Sequence, residues 1–219
     1  MSEPYSSKST YDTYSIDKEL NWYEWEVNWP DLCRLLPKVP GKLLDFGIGA
    51  AEFTKELVKL GYVVDGCDKN VHMLNFGRKI VGINNIYKWD ASTKCVDTYD
   101  IVFAKLSLHY VDDIHLVAKN IASALRINGS IIVSVPHPLR SSDNANKSPH
   151  TTYSYTAEIG TSGVNATMWH RPLEGWISPF ISAGLSLIEI SEPVPSKELS
   201  TTHSYTYPYP KRLNMKFNN

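Results

Sequence analysis

From Gly41 onward, short runs of unbroken apolar residues alternate with longer stretches whose apolar positions recur every three or four residues. The first pattern suits strands buried on both faces, the second amphipathic helices. LLDF is followed by EFTKELVKLGY, where Phe53, Leu57 and Leu60 share a helical face and Gly61 stands at a C-cap position. YVVDGCD reads as a strand, VHMLNFGRKI as a helix, and NNIYKWDA as a short strand ending at an acid. YDIVFAKLSLHYV holds the fully apolar Ile101, Val102 and Phe103. DDIHLVAKNIASALRINGS then puts Ile114, Val117, Ile121 and Leu125 on one face, and SIIVSVPHP is another buried strand. Four strand-then-helix units in succession predict an α/β fold with parallel strands and right-handed crossovers.

Two regions depart from this rhythm. In the aromatic, acidic stretch before Gly41, Trp22, Trp25 and Trp29 lie at helical spacing. Pro30 interrupts it, which predicts two helices, one ending near Val27 and one from Pro30 to Leu36. After Pro138 the chain turns polar and loop-rich, with only weak strand signal around Tyr153 and Tyr155. A loop of that length inside a compact domain is usually functional or disordered. PLEGWISPFISAGL restores a helix, SLIEISEPV a strand, and TYPYPKRLNMKF a last extended piece. The expected organisation is a helical N-terminal segment over 1–39 and one domain over 40–219, with an insertion at about 138–170.

Composition narrows the functional classes. A chain of 219 residues with 42% hydrophobic residues builds its own core without staples. Its 22 basic and 23 acidic residues argue against a sequence-independent nucleic-acid binder. The sparse cysteines Cys33, Cys67 and Cys95 offer neither a disulfide framework nor a zinc site and suit a reducing compartment. No histidine pair has metal-ligand spacing on one helix, so no metal is expected. With no apolar signal core and no membrane-length apolar run, the sequence reads as soluble and cytoplasmic.

The candidate chemistry sits at the strand ends, where open α/β sheets bind ligands. Gly47 and Gly49 follow the first strand, and glycine lets backbone approach a ligand closely. Asp68 ends the second strand, placed to accept both hydroxyls of a ribose. The turn reads G-I-G-A-A rather than G-x-G-x-x-G, and Glu52 and Asp45 disfavour a pyrophosphate beside it. A ligand with ribose, adenine and a cationic or zwitterionic tail fits better, and S-adenosylmethionine is one. An NAD(P)-dependent oxidoreductase, or a binder of the nucleoside without turnover, stays as the alternative.

LLDFGIGAAEFTKEL resembles the first motif of class I S-adenosylmethionine-dependent methyltransferases, and VVDGCDKNVHML the second. WDAS is similar to their adenine-contact motif, YDIVFAKLSLHYVDD to the fourth-strand motif and ALRINGSIIVSVPHP to the fifth-strand region. The resemblance covers residues 40 to 138, and WHRPLEGWISPFISAGLSLIEISEPVP looks like the ending of small-molecule members. It implies a Rossmann-like, doubly wound, mostly parallel seven-stranded sheet with helices on both faces. It also implies that Gly47 and Gly49 lay backbone against the methionine part and that Asp45 anchors its amino group. Asp68 would bind the ribose with Lys69 beside it, Asp90 and Ala91 would meet the adenine, and Lys105 and Leu106 would flank the methionine. Two departures stand out: Ala51 replaces the usual third glycine, and Ile48 the common cysteine. An alanine is accommodated there if its dihedral angles are negative.

Methyl transfer from a sulfonium asks the protein mainly to orient and desolvate, with a base only for a protonated acceptor. The candidate bases are His109, His137 and His170, at strand tips or after the late loop, and each also reads as a hydrogen-bonded structural histidine. The resemblance implies that the N-terminal segment covers the cofactor and the insertion covers the acceptor. Tyr11, Tyr14, Trp22, Trp25, Tyr153, Tyr155 and Trp169 are then candidates for the acceptor pocket, although the tryptophans equally suit packing on the sheet. Arg171 either pairs with an acceptor carboxylate or braces Glu174. The expected substrate is a small molecule with an oxygen, nitrogen or sulfur nucleophile, of the kind met in secondary metabolism.

Overall fold

The computed structural model describes residues 21–80, 82–90, 92–95, 97–158 and 165–219. The main sheet holds β1 (Lys42–Phe46), β2 (Val63–Asp68), β3 (Ile83–Lys88), β4 (Tyr99–Lys105) and β5 (Leu125–Pro136). A separate hairpin pairs β6 (Tyr153–Glu158) with β7 (Asn165–His170), and β8 (Ser186–Ser191) and β9 (Arg212–Asn218) complete the main sheet. Its order is β3-β2-β1-β4-β5-β9-β8, seven strands, with β9 antiparallel to both neighbours and the inner pairings parallel. This is the expected doubly wound fold. The strand order reverses between β1 and β4, which opens a crevice at their C-terminal ends.

The helices are α1 (Trp29–Leu35), α2 (Glu52–Lys59), α3 (Val71–Gly77), α4 (Ile114–Ser123), α5 (Pro138–Ala145), α6 (Leu173–Ser182) and α7 (Lys197–Thr202). The apolar strand runs feed both faces in alternation. Leu44, Val102, Ala104, Ile131 and Val133 pack with Ile114, Val117 and Ile121 of α4 and Trp176 and Phe180 of α6. Leu43, Ile101, Phe103 and Ile132 pack instead with Leu32 and Leu35 of α1 and Leu57 of α2. Gly61, at φ +92°, terminates α2 as expected, but Leu60 stands largely exposed beyond its last turn.

Pro30 does not divide the N-terminal segment into two helices. A π-helical turn, Tyr23–Asn28, runs directly into α1, with Trp29 N–H donating to the Glu24 carbonyl. The widened turn lies just ahead of the residue that lacks an N–H, where an α-helical bond could not form. The late polar stretch is also more regular than its composition suggests. His137 and Pro138 start α5, the histidine ring accepting Leu139 N–H at 3.2 Å and the proline occupying the first turn. The β6–β7 hairpin packs Ala166 and Met168 against Tyr110, Tyr155 and Ala157.

Candidate functional site

The turn after β1 is built for close approach. Gly47 and Ile48 both donate their N–H to the Cys67 carbonyl at 2.9 Å, tying the turn to β2. Gly47 has φ +79°, and a Cβ there would lie 2.4 Å from Ser107 Cβ, so only glycine fits against the loop after β4. Gly49, at φ +51°, faces the opposite situation: a Cβ would meet nothing nearer than the Gly47 carbonyl at 3.9 Å. Among the described residues its backbone therefore borders open space. Ala51 has φ 60°, not the negative value anticipated for an alanine. The left-handed backbone costs about 1–2 kcal/mol for a residue with a Cβ. Burial of its methyl against Ile48 and Leu74 offsets part of that cost.

Three acids stand at successive strand tips. Asp68 accepts the N–H of Gly49 on Oδ2 at 3.1 Å and that of Asn70 on Oδ1 at 2.8 Å. The two bonds fix its orientation. Burial raises its pKa and these N–H groups oppose the rise. Asp45 is buried and accepts Thr54 Oγ1–H at 2.6 Å; burial, against Thr54 and Lys105, pushes its carboxyl up to about 6. Asp90 is exposed and caps its own turn, accepting Ser92 N–H at 3.0 Å, which lowers its pKa.

All three line one cavity of about 1130 Å³, together with Gly47, Gly49, Lys69, Lys105 and Leu106. Ala91 and Tyr14, also expected here, lie outside the described residues, as does Tyr11. Lys105 is buried, forms an ion pair with Glu24 at 2.6 Å and lies 3.9 Å from the Phe53 ring centroid. Glu24 shares its carboxylate with Arg212 at 2.6 Å and accepts an Asn28 amide hydrogen at 2.9 Å. Burial alone would raise Glu24, but Arg212 and Lys105 outweigh it and hold the carboxyl far below the usual range. Glu24, Arg212 and Thr54 escape sequence reading. Glu24 and Arg212 are 188 positions apart, and no local pattern links them.

The three histidines separate in space. His109, in the single turn Leu108–Tyr110, lines the cavity, and its buried Nδ1 has no hydrogen-bond partner among the described residues. Burial, reinforced by Arg212, Arg171 and Lys105, pushes it down to about 3, so the ring is neutral at neutral pH. His137 is not in the cavity lining: its Nδ1 caps α5 and its Nε2 meets Glu192 at 2.7 Å. His137→Ala is therefore expected to lower stability by about 1–2 kcal/mol through the lost cap, a Tm drop of about 2–8 °C. Calorimetry would show S-adenosylhomocysteine affinity unchanged. His170 also stands outside the lining, fully buried, bonded to Ser141 at 2.6 Å and the Pro149 carbonyl at 3.1 Å and stacked on Tyr153. It fastens the hairpin to α5.

Among the aromatic candidates, Trp25, Tyr155 and Trp169 line the cavity. Trp22 stacks instead on His203 at 4.1 Å, and Tyr153 on His170 at 4.7 Å, both away from the lining. Arg171 takes neither expected role. It is buried, donates to the carbonyls of Val111 and Asp112 at 2.6 and 2.7 Å, and lies over Trp176. Its neighbour Glu174 is exposed and plays no part.

These features fit a nucleoside with a zwitterionic tail: an open backbone cradle at Gly49, a carboxylate pre-set by two N–H groups, and a buried acid beside them. A family model described as a methyltransferase domain matches residues 25–185. No curated protein matches the chain in sequence. Among solved structures it is similar to an S-adenosylmethionine-dependent methyltransferase from Mesorhizobium loti (22% identity, TM-score 0.71). That alignment covers 88% of this chain and 97% of the other. A putative S-adenosylmethionine-dependent methyltransferase from Listeria monocytogenes is similar at 22% identity and TM-score 0.72, covering 87% and 96%. A glycopeptide N-methyltransferase complexed with sinefungin is similar at 14% identity and TM-score 0.63, covering 93% and 94%. At these identities the likeness is one of fold.

Proposed function

The chain belongs to the methyltransferase-domain family, and from that premise we propose that it methylates a small-molecule acceptor with S-adenosylmethionine. The observation that carries this reading is the convergence of Asp45, Asp68, Asp90 and the Gly47–Gly49 backbone on one cavity large enough for a nucleoside and a second small molecule. When bound, S-adenosylmethionine supplies a methyl group already activated on a sulfonium. Asp68 receives the ribose hydroxyls, with Lys69 beside it, and Asp90 the adenine amine. Asp45 holds the ammonium, and the backbone at Gly47, Gly49 and Leu106 borders the methionine part. The oxidoreductase alternative falls with the family match, in keeping with Glu52 and Asp45 beside the turn. Residues 21–39 act as a lid, to which Glu24 and Trp25 contribute cavity lining, and Tyr155 and Trp169 of the region after β5 cover the acceptor.

His109 is the candidate base that the cavity retains. Its Nδ1 takes the acceptor's proton once a bound acceptor raises its basicity above the value of about 3 that burial, Arg212, Arg171 and Lys105 impose. His109→Ala is expected to reduce turnover at least tenfold while S-adenosylhomocysteine affinity stays within about twofold. Parallel losses in both would make the ring structural.

Asp45 adds a pH dependence with a definite sign. An ammonium pairs with the ionised carboxylate, and Asp45 titrates at about 6, so the partner charge disappears as pH falls through that value. S-adenosylhomocysteine affinity is expected to fall about tenfold from pH 8 to pH 5, and Asp45→Asn to flatten that profile at a lower affinity. A profile unchanged by Asp45→Asn would remove Asp45 from the site. The reaction itself is tested with S-adenosylmethionine labelled in its methyl group and fractionated small metabolites. Label in a small product supports the reading; label found only in protein or nucleic acid contradicts it.

A further inference from the structure

The acceptor arm of the cavity carries two arginines that the donor site does not use, and the cavity lining also holds the acids Asp112, Asp113 and Glu158. Arg140, in the first turn of α5, and Arg212, at the start of β9, both line it beside His109, Asn144 and Tyr155. Among the described residues the Arg140 guanidinium has no carboxylate partner. It rests 4.4 Å over the Tyr207 ring, and its Nη1 is buried with no hydrogen bond. Arg212 spends Nε on Glu24 and Nη1 on the Lys211 carbonyl at 2.9 Å, which leaves Nη2 uncommitted among the described residues. Glu24, the carboxylate of this cluster, is already shared between Arg212 and Lys105. Glu158 also lines the arm, but it stands exposed at the end of β6.

Neighbouring groups register the two guanidiniums. Lys211, held among the rings of Trp22, Tyr23, Tyr205 and Tyr207, is pushed down to about 8 by burial and then by Arg140 and Arg212. His109 is depressed by burial and by Arg212 in the same direction. Burial raises the Tyr155 hydroxyl, and Arg140 and Arg212 both oppose that rise, so the two guanidiniums act on one point of the arm. Two guanidiniums acting on one tyrosine, with Glu24 the carboxylate that pairs with Arg212 and none pairing with Arg140 among the described residues, offer an anion a favourable site.

We propose that the methyl acceptor is a small organic acid whose carboxylate is held by Arg140 and Arg212 beside Tyr155. The guanidinium fork matches the two oxygens of a carboxylate. The task that sequence alone offered to Arg171 thus passes to two residues that reach the cavity, because Arg171 stands outside the lining with its Nη2 held by backbone carbonyls. The assignment rests on the methyl-transfer reading of the cavity. It also separates the acceptor's anion from the carboxylate of the donor's own methionine part, which lies at the Gly47–Asp45 end.

The test uses protein saturated with S-adenosylhomocysteine and matched probe pairs: benzoate against benzamide, phenylacetate against phenylacetamide, indole acetate against indole acetamide. Binding is read by saturation-transfer NMR and thermal shift. Acids are expected to bind at least about tenfold tighter than their amides. Arg140→Met is expected to erase that preference and leave S-adenosylhomocysteine affinity within twofold. Acids binding no better than amides, or a preference that survives Arg140→Met, overturns the assignment. A fall in S-adenosylhomocysteine affinity on Arg140→Met also overturns it, since Arg140 would then hold the donor. A wild-type chain that takes no S-adenosylhomocysteine contradicts the donor-site reading instead. The acid–amide comparison on the bare protein then still decides the role of Arg140.

Discussion

Asp68→Ala is expected to weaken S-adenosylhomocysteine binding by tenfold or more in calorimetric titration. The side chain stands at the tip of β2, clamped by the N–H groups of Gly49 and Asn70. Ligand hydroxyls therefore meet a carboxylate that needs no reorientation. Hydrogen bonds to a charged group contribute about 1.5–3 kcal/mol, or roughly one to two powers of ten in affinity. The alanine variant also loses the acceptor that positions Gly49, so the turn bordering the cavity loosens along with the ribose contact. Asp68→Asn, which keeps one accepting oxygen, should fall between the two. Full affinity in a folded Asp68→Ala variant would remove the ribose assignment.

Glu24→Ala is expected to be the most destabilising of the substitutions, by about 3–5 kcal/mol, which corresponds to a Tm loss of roughly 6–20 °C. Glu24 is 8% exposed and neutralises both Lys105 and Arg212, and the alanine would leave two largely enclosed cations without their partner. Adding Lys105→Met should recover part of the loss, since one of the stranded charges goes with it. The pH dependence has the sign of a depressed acid. The folded-state value lies below the unfolded one, so the stabilisation is complete above about pH 4.5 and is lost as pH falls. A variant that unfolds at the wild-type denaturant midpoint would show the ion-pair cluster to be incidental. The cluster joins the N-terminal turn to the tips of β4 and β9, so its loss should also open the cavity mouth.

How much of this was readable in the chain depends on whether each cause is local. The strands and helices from Lys42 to Pro136 follow from apolar runs and helical spacing, because each element buries a face of its own. Asp45, Asp68 and Asp90 were legible for a related reason: each closes a strand or its following turn, and the topology then gathers strand ends at one crevice. Non-local causes were not legible. His109 and His137 both follow buried strands and look alike in sequence. A turn that aims one ring at the cavity and a cap that engages the other distinguish them. The helix α5 is hidden in a polar stretch because its cap is a histidine and its packing is supplied by the hairpin, through Ser141 and His170. Arg171 looked available because its partners are backbone carbonyls some 60 positions earlier. Ala51 could not announce its left-handed conformation, which is set in a turn whose methyl packs with Ile48 and Leu74.

The most direct measurement is a pair of titrations on the purified full chain, one with S-adenosylhomocysteine and one with a reduced nicotinamide dinucleotide. The strand-tip acids and the open glycine turn call for one S-adenosylhomocysteine per chain and no uptake of the dinucleotide. Binding of the dinucleotide with none of S-adenosylhomocysteine would contradict the assignment of the cavity.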